Sequence, residues 1–454
     1  MSVCPLDWRY GSNEMRELFS RTHLLKTMLK VEITLLEALA EVGMMDPREV
    51  ASVNQVSSTV TLEEVDEMEK KTGHDVMAMA VVLAEKAGEA GKLVHYGATS
   101  YDIVDTAYSL IFRDALLLLE TKLLRSLDFL SSLAQKYMET IMVGRTHGQH
   151  ALPITLGFKM ANYVYELSRS LERLEELKTR LLKIKMAGAV GTGAGWGKNW
   201  ISIQREVSRR LGLPVHEIST QIAPRDGHAE LICQLAILGS QLERFALEVR
   251  ELMRPEIGEL AEAAESRVGS STMPQKENPV ISEKICGLSK VLRGMVVPAL
   301  ENIPTWHERD LTNSSSERIM ISHSLMIIDE MVDSFDELLR GLRVNEERMI
   351  QNLDLTKGGI MGESLMLLLT RKGLPRHMAH NIVSALTKTV RNDGISLYEA
   401  AIREPKVTSL VTEQELNLAL SPKNYLGAYK ELIERAIRYY KVVKERIFAA
   451  VAQR

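Results

Sequence analysis

The chain has 454 residues, of which 45% are apolar and 26% charged, a composition typical of a globular protein with a large core. Its formal net charge of −4 argues against a general binding surface for nucleic acid or an anionic membrane. Aromatic residues make up only 5%, whereas the helix formers Leu, Ala, Met, Glu and Lys are abundant, which favours an all-α protein.

The cysteines and the apolar runs indicate the compartment. Cys4, Cys233 and Cys286 form neither a CxxC pair nor a metal-ligand spacing, which predicts the reducing cytoplasm and no metal site. Residues 1–10 lack the apolar core of a secretory signal. The longest apolar run, 76–84, has about half the length of a membrane-spanning helix, so we expect no span.

The N-terminal region is predicted to contain several helices. Apolar residues recur at helical spacing over 14–42, and Gly43 is expected to end that helix. The segment 61–71 opens with the spacing of a capping box. Gly73-His74-Asp75 is expected to begin the next helix, and 91–100 is predicted to be a loop.

The central region has long stretches without helix breakers. A helix over 102–140 would be about 60 Å long at ~1.5 Å per residue. Helices of that length with apolar faces must pack side by side, which predicts a bundle, and their broad apolar stripes indicate burial against other subunits. Further long helices are predicted over 154–187, over 226–265 with a kink at Pro255, over 279–301 and over 315–340.

The pattern changes after Arg343, where the predicted helices become shorter. They cover 361–369, 375–391 and 422–451. Strict β alternation is rare, and no repeat of 20 to 50 residues is visible. We therefore predict an N-terminal helical domain (1–100), a central long-helix bundle (101–343) and a C-terminal helical domain (344–454).

The first segment suited to chemistry is 144–150, Gly-Arg-Thr-His-Gly-Gln-His, which is predicted to be a loop at one end of the bundle. Histidine is the side chain best suited to transfer a proton near neutral pH, so His147 is a candidate general acid or base. A capping or hydrogen-bonding histidine is the alternative interpretation. No further cluster of ligands accompanies His147 and His150, so a metal site is not expected here.

The second segment is 269–279, Gly-Ser-Ser-Thr-Met-Pro-Gln-Lys-Glu-Asn-Pro, which precedes a predicted helix. Lys276 is expected just before the N-terminus of that helix, a position that favours anions. An ordinary surface loop rich in Ser and Gly is the alternative. The density of distinctive residues in this short stretch favours a functional loop.

The third segment, 306–318, places arginines and hydroxyls before a long helix and can hold carboxylates or phosphate. A charged helix start with internal ion pairs is the alternative. Two shorter segments add candidates: 73–75 places a histidine beside an acid, and 94–100 places Thr99 and Ser100 before the first long helix. Hydroxyls at such positions commonly serve only as helix caps.

The segment 269–279 resembles the loop Gly-Ser-Ser-x-Met-Pro-x-Lys-x-Asn-Pro of the fumarase/aspartase superfamily. Within that superfamily, further segments are similar to the adenylosuccinate lyase family and occur in its order: 7–10, 73–75, 95–100, 144–150, 219–221 and 309–318. The resemblance implies an all-α, fumarase/aspartase-like fold. It also implies a homotetramer, an active site built from three subunits, and neither a metal nor an organic cofactor.

The resemblance further implies an elimination that releases fumarate from adenylosuccinate, giving AMP, and from its ribotide counterpart SAICAR, giving AICAR, in purine biosynthesis. Ser270 would be the general base and His147 the general acid, and Glu283 would orient His147. His74 would support the leaving group or contact phosphate, and Lys276 would supply positive charge. The residues expected to line the substrate are Arg9, Tyr10, Gly73, His74, Asp75, His95, Thr99, Ser100, Gln221, Ser271, Lys276, Glu277, Asn278, Arg309, Ser314 and Arg318.

Three positions depart from the pattern of this family. Gln275 and Glu277 replace the usual His and Arg, and His150 stands where Pro is usual. Gln275 is more like argininosuccinate lyase, which is the alternative within the superfamily; the segments 7–10 and 306–318 argue against it. A non-catalytic scaffold on the same fold is a second alternative, but it predicts the loss of catalytic residues that are all present here.

Overall fold

The computed structural model describes residues 3–263, 273 and 275–452, and its elements are almost all helical. The N-terminal and central helices are α1 (Asn13–Leu18), α2 (Arg21–Glu41), α3 (Pro47–Ser57), α4 (Leu62–Thr72), α5 (Asp75–Ala87), α6 (Ser100–Lys136), α7 (Leu156–Leu181), α8 (Trp200–Leu211), α9 (Asp226–Leu252), α10 (Val280–Gly294), α11 (Val296–Glu301) and α12 (Thr312–Arg340). The later helices are α13 (Glu346–Asp354), α14 (Gly362–Arg371), α15 (Arg376–Asp393), α16 (Leu397–Ile402), α17 (Pro405–Thr408), α18 (Glu413–Leu420) and α19 (Tyr429–Ala452). The strands are β1 (Ile141–Thr146), β2 (Gln149–Thr155), β3 (Leu260–Ala261) and β4 (Arg343–Val344).

The long helices form the predicted bundle. α6 packs against α7 and α12, and α9 packs against α7, α10 and α12. The inward face of α6 has the leucine spacing of an amphipathic helix, and each of these leucines is completely buried: Leu116, Leu119, Leu123, Leu127 and Leu130. The prediction of an all-α protein with a central long-helix bundle is therefore confirmed.

The N-terminal helices differ from the prediction: α3 was not predicted, and a 3-10 helix at Gly88–Leu93 extends into the predicted loop 91–100. The expected single helix over 14–42 is two helices, because Ser20 caps a new one: its side chain accepts a hydrogen bond from His23 N at 3.1 Å. The capping box predicted at Thr61 is present, and Thr61 N donates to Glu64 Oε2 at 2.9 Å.

The predicted kink at Pro255 is wrong, because α9 ends at Leu252 and does not continue past the proline. The prediction of a loop over 144–150 is also wrong. The strands β1 and β2 form an antiparallel hairpin that pairs Thr146 with Gln149. Its two-residue turn is His147-Gly148, with φ of 53° and 70°, and two positive φ values are typical of a type I′ turn.

The C-terminal region has its own apolar core. It is formed largely by residues between 353 and 416 on α13 to α18. The last helix, α19, instead packs along α7, with Ile433, Ile437 and Tyr440 in the core of the bundle. The division of the chain at 100 and 343 stays a prediction, but α19 has its apolar contacts with the central bundle. No helix in the described part of the chain is long and apolar enough to cross a membrane.

Candidate active site

Most of the described residues that were predicted to act on a substrate lie at two ends of the bundle. We call the first the helix-start end, because α5, α6, α9 and α12 all begin there; it comprises 73–76, 95–102, 221–226 and 309–318. We call the second the hairpin end; it comprises 141–155, 257–263, 275–283 and 343–352. α9 alone has 27 residues between the two ends, which is about 40 Å at ~1.5 Å per residue.

At the helix-start end, the predicted residues of 73–75 meet α12. Gly73 ends α4 with φ of 66°, a left-handed conformation that suits glycine. His74 caps α5, and its Nδ1 lies 3.3 Å from Asp75 Oδ1. Asp75 Oδ2 accepts a hydrogen bond from Arg318 Nη2 at 2.8 Å. Two segments that are far apart in sequence thus present a histidine, a carboxylate and a guanidinium together.

Five more predicted residues lie around Tyr101. Arg309 lies over the Tyr101 ring, with its guanidinium carbon 3.8 Å from the ring centroid. Arg309 Nη1 donates to Gln221 Oε1 at 3.1 Å. Ser314, one helical turn before Arg318, lies near the Tyr101 hydroxyl, whose pKa is raised mainly by burial. Thr99 and Ser100 immediately precede this tyrosine at the N-terminus of α6, where backbone N–H groups favour anions.

Beneath these residues lies a buried charged network that the sequence analysis missed. Arg225 Nη2 donates to Asp105 Oδ1 at 2.9 Å, and its Nε lies 2.9 Å from Glu317. Burial acts to raise the pKa of Glu317, but the nearby His228, 3.8 Å away, and the charge of Arg225 hold that pKa below its ordinary value. The network joins α6, α9 and α12, and so fixes the helix starts that carry the predicted site.

His95 has an internal partner. Its Nδ1 lies 3.1 Å from Oε2 of Glu32, whose side chain is 0% exposed, and its backbone φ is 64°. Burial of the imidazole acts to lower the pKa of His95, but the hydrogen bond and charge of Glu32 outweigh it and raise that pKa. This predicted substrate residue is therefore also an anchor to α2.

Arg9 and Tyr10 lie apart from the other predicted substrate residues. Their segment packs against α12, where Gly11 N donates to Glu330 Oε2 at 2.9 Å and Cys4 Sγ lies 3.5 Å from His323. These positions are about one to three helical turns beyond Arg318. Arg9 and Tyr10 therefore lie outside the helix-start end of their own chain.

At the hairpin end, His147 stands at the exposed tip of the β1–β2 turn. The hairpin is held by Arg145, whose two terminal nitrogens donate to Glu259 at 2.9 and 2.7 Å. Asn352 Nδ2 donates to the same carboxylate at 2.7 Å. Burial and the charge of Arg145 lower the pKa of His150. The predicted acid is thus displayed on a firmly anchored hairpin.

The loop 269–279 is only partly among the described residues, because Ser270 and Ser271 lie outside them. Lys276 is exposed, and so is Glu283 in the first turn of α10. Glu277, predicted to line the substrate, forms an ion pair with Arg343.

The loop also has anchors on either side of it. Arg343 donates through Nε to the Glu262 carbonyl at 2.7 Å. The Glu262 carboxylate accepts from Ile281 N at 3.0 Å and Ser282 N at 2.8 Å. Glu262 and Arg343 therefore hold the chain before and after the loop, and neither was singled out from the sequence.

Most of the described residues that were predicted to form the active site fall into two groups, which lie at opposite ends of the bundle. His74, Asp75, Thr99, Ser100, Gln221, Arg309, Ser314 and Arg318 share the helix-start end, whereas His147, Lys276, Glu277, Asn278 and Glu283 share the hairpin end. Within the described residues, no group of three or more His, Cys, Asp or Glu side chains is arranged to hold a metal ion.

Comparison with known proteins identifies two family models in this chain. A model described as "Lyase" matches residues 9–294, and one described as "Adenylosuccinate lyase C-terminus" matches residues 358–436. The chain is 43% identical to the adenylosuccinate lyase of Pyrococcus horikoshii, over 98% of this chain and 100% of the relative. It is 40% identical to that of Methanocaldococcus jannaschii, over 97% and 96% of the two chains.

Solved structures resemble the whole fold. A fumarate lyase from Mesorhizobium sp. BNC1 superposes with a TM-score of 0.87 at 31% identity, covering 94% of this chain and 97% of that one. A 3-carboxy-cis,cis-muconate lactonizing enzyme from Pseudomonas putida gives a TM-score of 0.88 at 29% identity, covering 97% and 99%. The fold is thus shared by proteins with different named activities.

Proposed function

Because the chain belongs to the adenylosuccinate lyase family, we propose that it eliminates fumarate from adenylosuccinate, giving AMP, and from SAICAR, giving AICAR. Both reactions break a C–N bond in purine biosynthesis. The fold alone does not select this chemistry, since a lactonizing enzyme shares it. The assignment rests on the full-length similarity to adenylosuccinate lyases together with the polar cluster at the helix-start end.

One observation supports the proposal most strongly. Arg309 and Arg318 lie at the helix-start end, together with helix N-termini and hydroxyl groups. The substrate bears two carboxylates and a phosphate, which need several cationic and hydrogen-bonding partners. Arg309 is held flat over Tyr101 and by Gln221, so its remaining N–H groups have a fixed direction. Arg318 is oriented by Asp75 in the same way.

The proposed mechanism begins with removal of a proton from the succinyl carbon by Ser270. The resulting carbanion spreads its charge onto the neighbouring carboxylate, which cationic and N–H groups stabilise. His147 then donates a proton to the departing nitrogen, so the C–N electron pair leaves with that nitrogen as the C=C bond of fumarate forms. A serine hydroxyl is a weak base, and the positive charge of Lys276 in the same loop would activate it.

The remaining predicted residues have supporting roles in this proposal. His74 supports the leaving side or contacts phosphate, and Glu283 orients His147. No metal or organic cofactor takes part. Arg9, Tyr10, Gly73, Asp75, His95, Thr99, Ser100, Gln221, Ser271, Glu277, Asn278 and Ser314 line the substrate.

We further propose a homotetramer with shared active sites. His147 and the helix-start residues of one chain are separated by about 40 Å along α9, so one chain does not form a complete site. Several apolar side chains on the central helices are exposed in the single chain, among them Ile237, Val291, Val297, Leu300 and Ile319. Such faces are typical of subunit contacts. The unpaired cysteines Cys4, Cys233 and Cys286 support a cytoplasmic location.

Fumarate release from adenylosuccinate and from argininosuccinate tests the assignment directly. We expect rapid release from adenylosuccinate and none from argininosuccinate, measured by absorbance with each substrate at the same concentration. Activity on argininosuccinate alone would overturn the assignment in favour of the second lyase. Activity on neither would favour a non-catalytic scaffold.

A further inference from the structure

A single buried carboxylate, that of Asp102, joins the start of α6 to the glycine-rich segment 186–197. Asp102 Oδ1 accepts from Lys185 Nζ and from Ala187 N, each at 2.7 Å. Asp102 Oδ2 accepts from Thr99 N at 2.7 Å and from Gly188 N at 3.0 Å. The side chains of Asp102 and Lys185 are both 0% exposed.

The two segments also approach each other backbone to backbone. A Cβ added to Gly195 would lie 2.9 Å from Gly97 Cα, and one added to Gly97 would lie 2.5 Å from Trp196 Nε1. That indole nitrogen donates to the Tyr96 carbonyl at 2.8 Å. Little space is left between the segments, so a shift of one must displace the other.

The glycine-rich segment in turn holds residues of the proposed site. The carbonyl of Ala189 accepts from Gln221 Nε2 at 2.9 Å, and Gln221 Oε1 accepts from Arg309 Nη1. Arg309 then stacks on Tyr101, the residue before Asp102. The contacts form a closed path that begins and ends in the first turn of α6.

A buried ion pair is weak evidence for a purely stabilising role, because desolvation of the two charges offsets most of their attraction. The burial of Lys185 lowers its pKa even beside Asp102, in agreement with a substantial desolvation cost. An apolar pair of similar volume would fill the same space. An apolar side chain, however, cannot accept hydrogen bonds from the N–H groups of both segments, as the carboxylate does. This favours a role of Asp102 in fixing the position of one segment relative to the other.

We propose that Asp102, with its charge balanced by Lys185, is a positioning residue of the lyase site that sets the spacing between Thr99, Gln221 and Arg309. It acts through the amides of 99, 187 and 188 and does not touch the substrate. The inference rests on the proposed function, since it concerns the same site. The residues that it positions are those expected to hold the anionic groups of the substrate.

The test uses Asp102→Asn, Lys185→Met and the double variant, each measured for Tm and for kcat/KM with adenylosuccinate. Misplacement of binding groups by about 1 Å can cost about 10²-fold, so Asp102→Asn is expected to lower kcat/KM by about that factor. Lys185→Met leaves the carboxylate buried without its cation and is expected to have the lowest Tm. The double variant removes both charges, so its Tm should recover while its kcat/KM stays low.

The matched control is the buried ion pair of Glu120 on α6 and Lys178 on α7. Its nitrogen and oxygen lie 2.6 Å apart, and the two side chains are 1% and 4% exposed. Glu120→Gln and Lys178→Met are expected to lower Tm without changing kcat/KM, because the pair lies about five helical turns along α6 from Asp102.

Recovery of kcat/KM together with Tm in the double variant would overturn the proposal, as would an equal loss of kcat/KM in the Glu120 control. If Asp102→Asn does not fold, the double variant still separates the two roles, because it has no unpaired buried charge. A wild-type chain that releases no fumarate would refute the proposed function, whereas an active wild type with unaffected Asp102 variants would refute only this inference.

Discussion

The two ends of the bundle are built differently. At the helix-start end, the predicted substrate residues bind one another: Asp75 holds Arg318, and Gln221 holds Arg309. At the hairpin end, His147 is exposed, and the strong contacts belong to the residues behind it, such as Arg145 on Glu259. One end presents polar and charged side chains that are paired with one another, and the other presents His147 outward. We infer that each becomes functional only against the other end of a different subunit.

The largest expected effect is at the hairpin end. His147→Gln removes the proposed general acid, and kcat should fall by about 10²- to 10⁴-fold, the usual contribution of such a group. Because the side chain is exposed in the single chain, Tm and the oligomeric state should not change. Steady-state kinetics and sedimentation on the same preparation check both. His150→Gln is the matched control on the same hairpin, and an equal loss of kcat in that variant would contradict the assigned role of His147.

The next largest effect is at the helix-start end. Arg309→Met keeps most of the stack on Tyr101 but removes the charged N–H donors. A hydrogen bond to a charged group contributes about 1.5–3 kcal/mol, so kcat/KM should fall by about 10- to 100-fold, mainly through KM. An unchanged KM in Arg309→Met would show that this end does not bind substrate.

A smaller effect is expected from the internal partner of His95. The pKa of His95 is raised in the folded chain by Glu32, so the stability from this pair is present below the unfolded pKa of histidine and is lost as pH rises through the folded pKa. Glu32→Gln should therefore lower the pKa of His95, measured by NMR titration, and remove that pH dependence of Tm. A pKa of His95 that does not fall in Glu32→Gln would contradict the pairing.

The smallest effect is expected from Glu277, because an acidic residue beside an anion site should contact the substrate only through its backbone. Its ion pair with Arg343 is about half exposed, and exposed pairs contribute about 0–1 kcal/mol. Glu277→Gln should change kcat/KM by less than about fivefold. The exposed pair Glu431 and Arg435 gives a control of the same kind, since Glu431→Gln should have no effect on kinetics. A large rise in KM in Glu277→Gln alone would place its side chain on the substrate.

The bundle and several site residues could be predicted from the sequence, whereas the hairpin could not. Long stretches without Gly or Pro predicted the bundle, and distinctive short segments predicted Arg309, Arg318 and His147. The hairpin was missed because its strands are short, and because its turn depends on a histidine in a left-handed conformation, which is uncommon.

The buried supports of the site were missed for a different reason. Asp102, Arg225 and Glu259 are ordinary charged residues in sequence, and only tertiary packing shows that they are buried and paired. The separation of the two ends likewise depends on the direction of each helix, which periodicity does not give.

Reassortment of two inactive variants tests the central claim most directly. The His147→Gln and Arg318→Met variants of the proposed homotetramer are each expected to be nearly inactive, and they should be mixed in equal amounts, dissociated and reassembled. If each site takes these two residues from different subunits, about one quarter of the sites receive both wild-type residues, and activity should return to about that fraction of the wild type. A mixture that stays as inactive as its components, although hybrid tetramers are present, would show that one subunit supplies both residues.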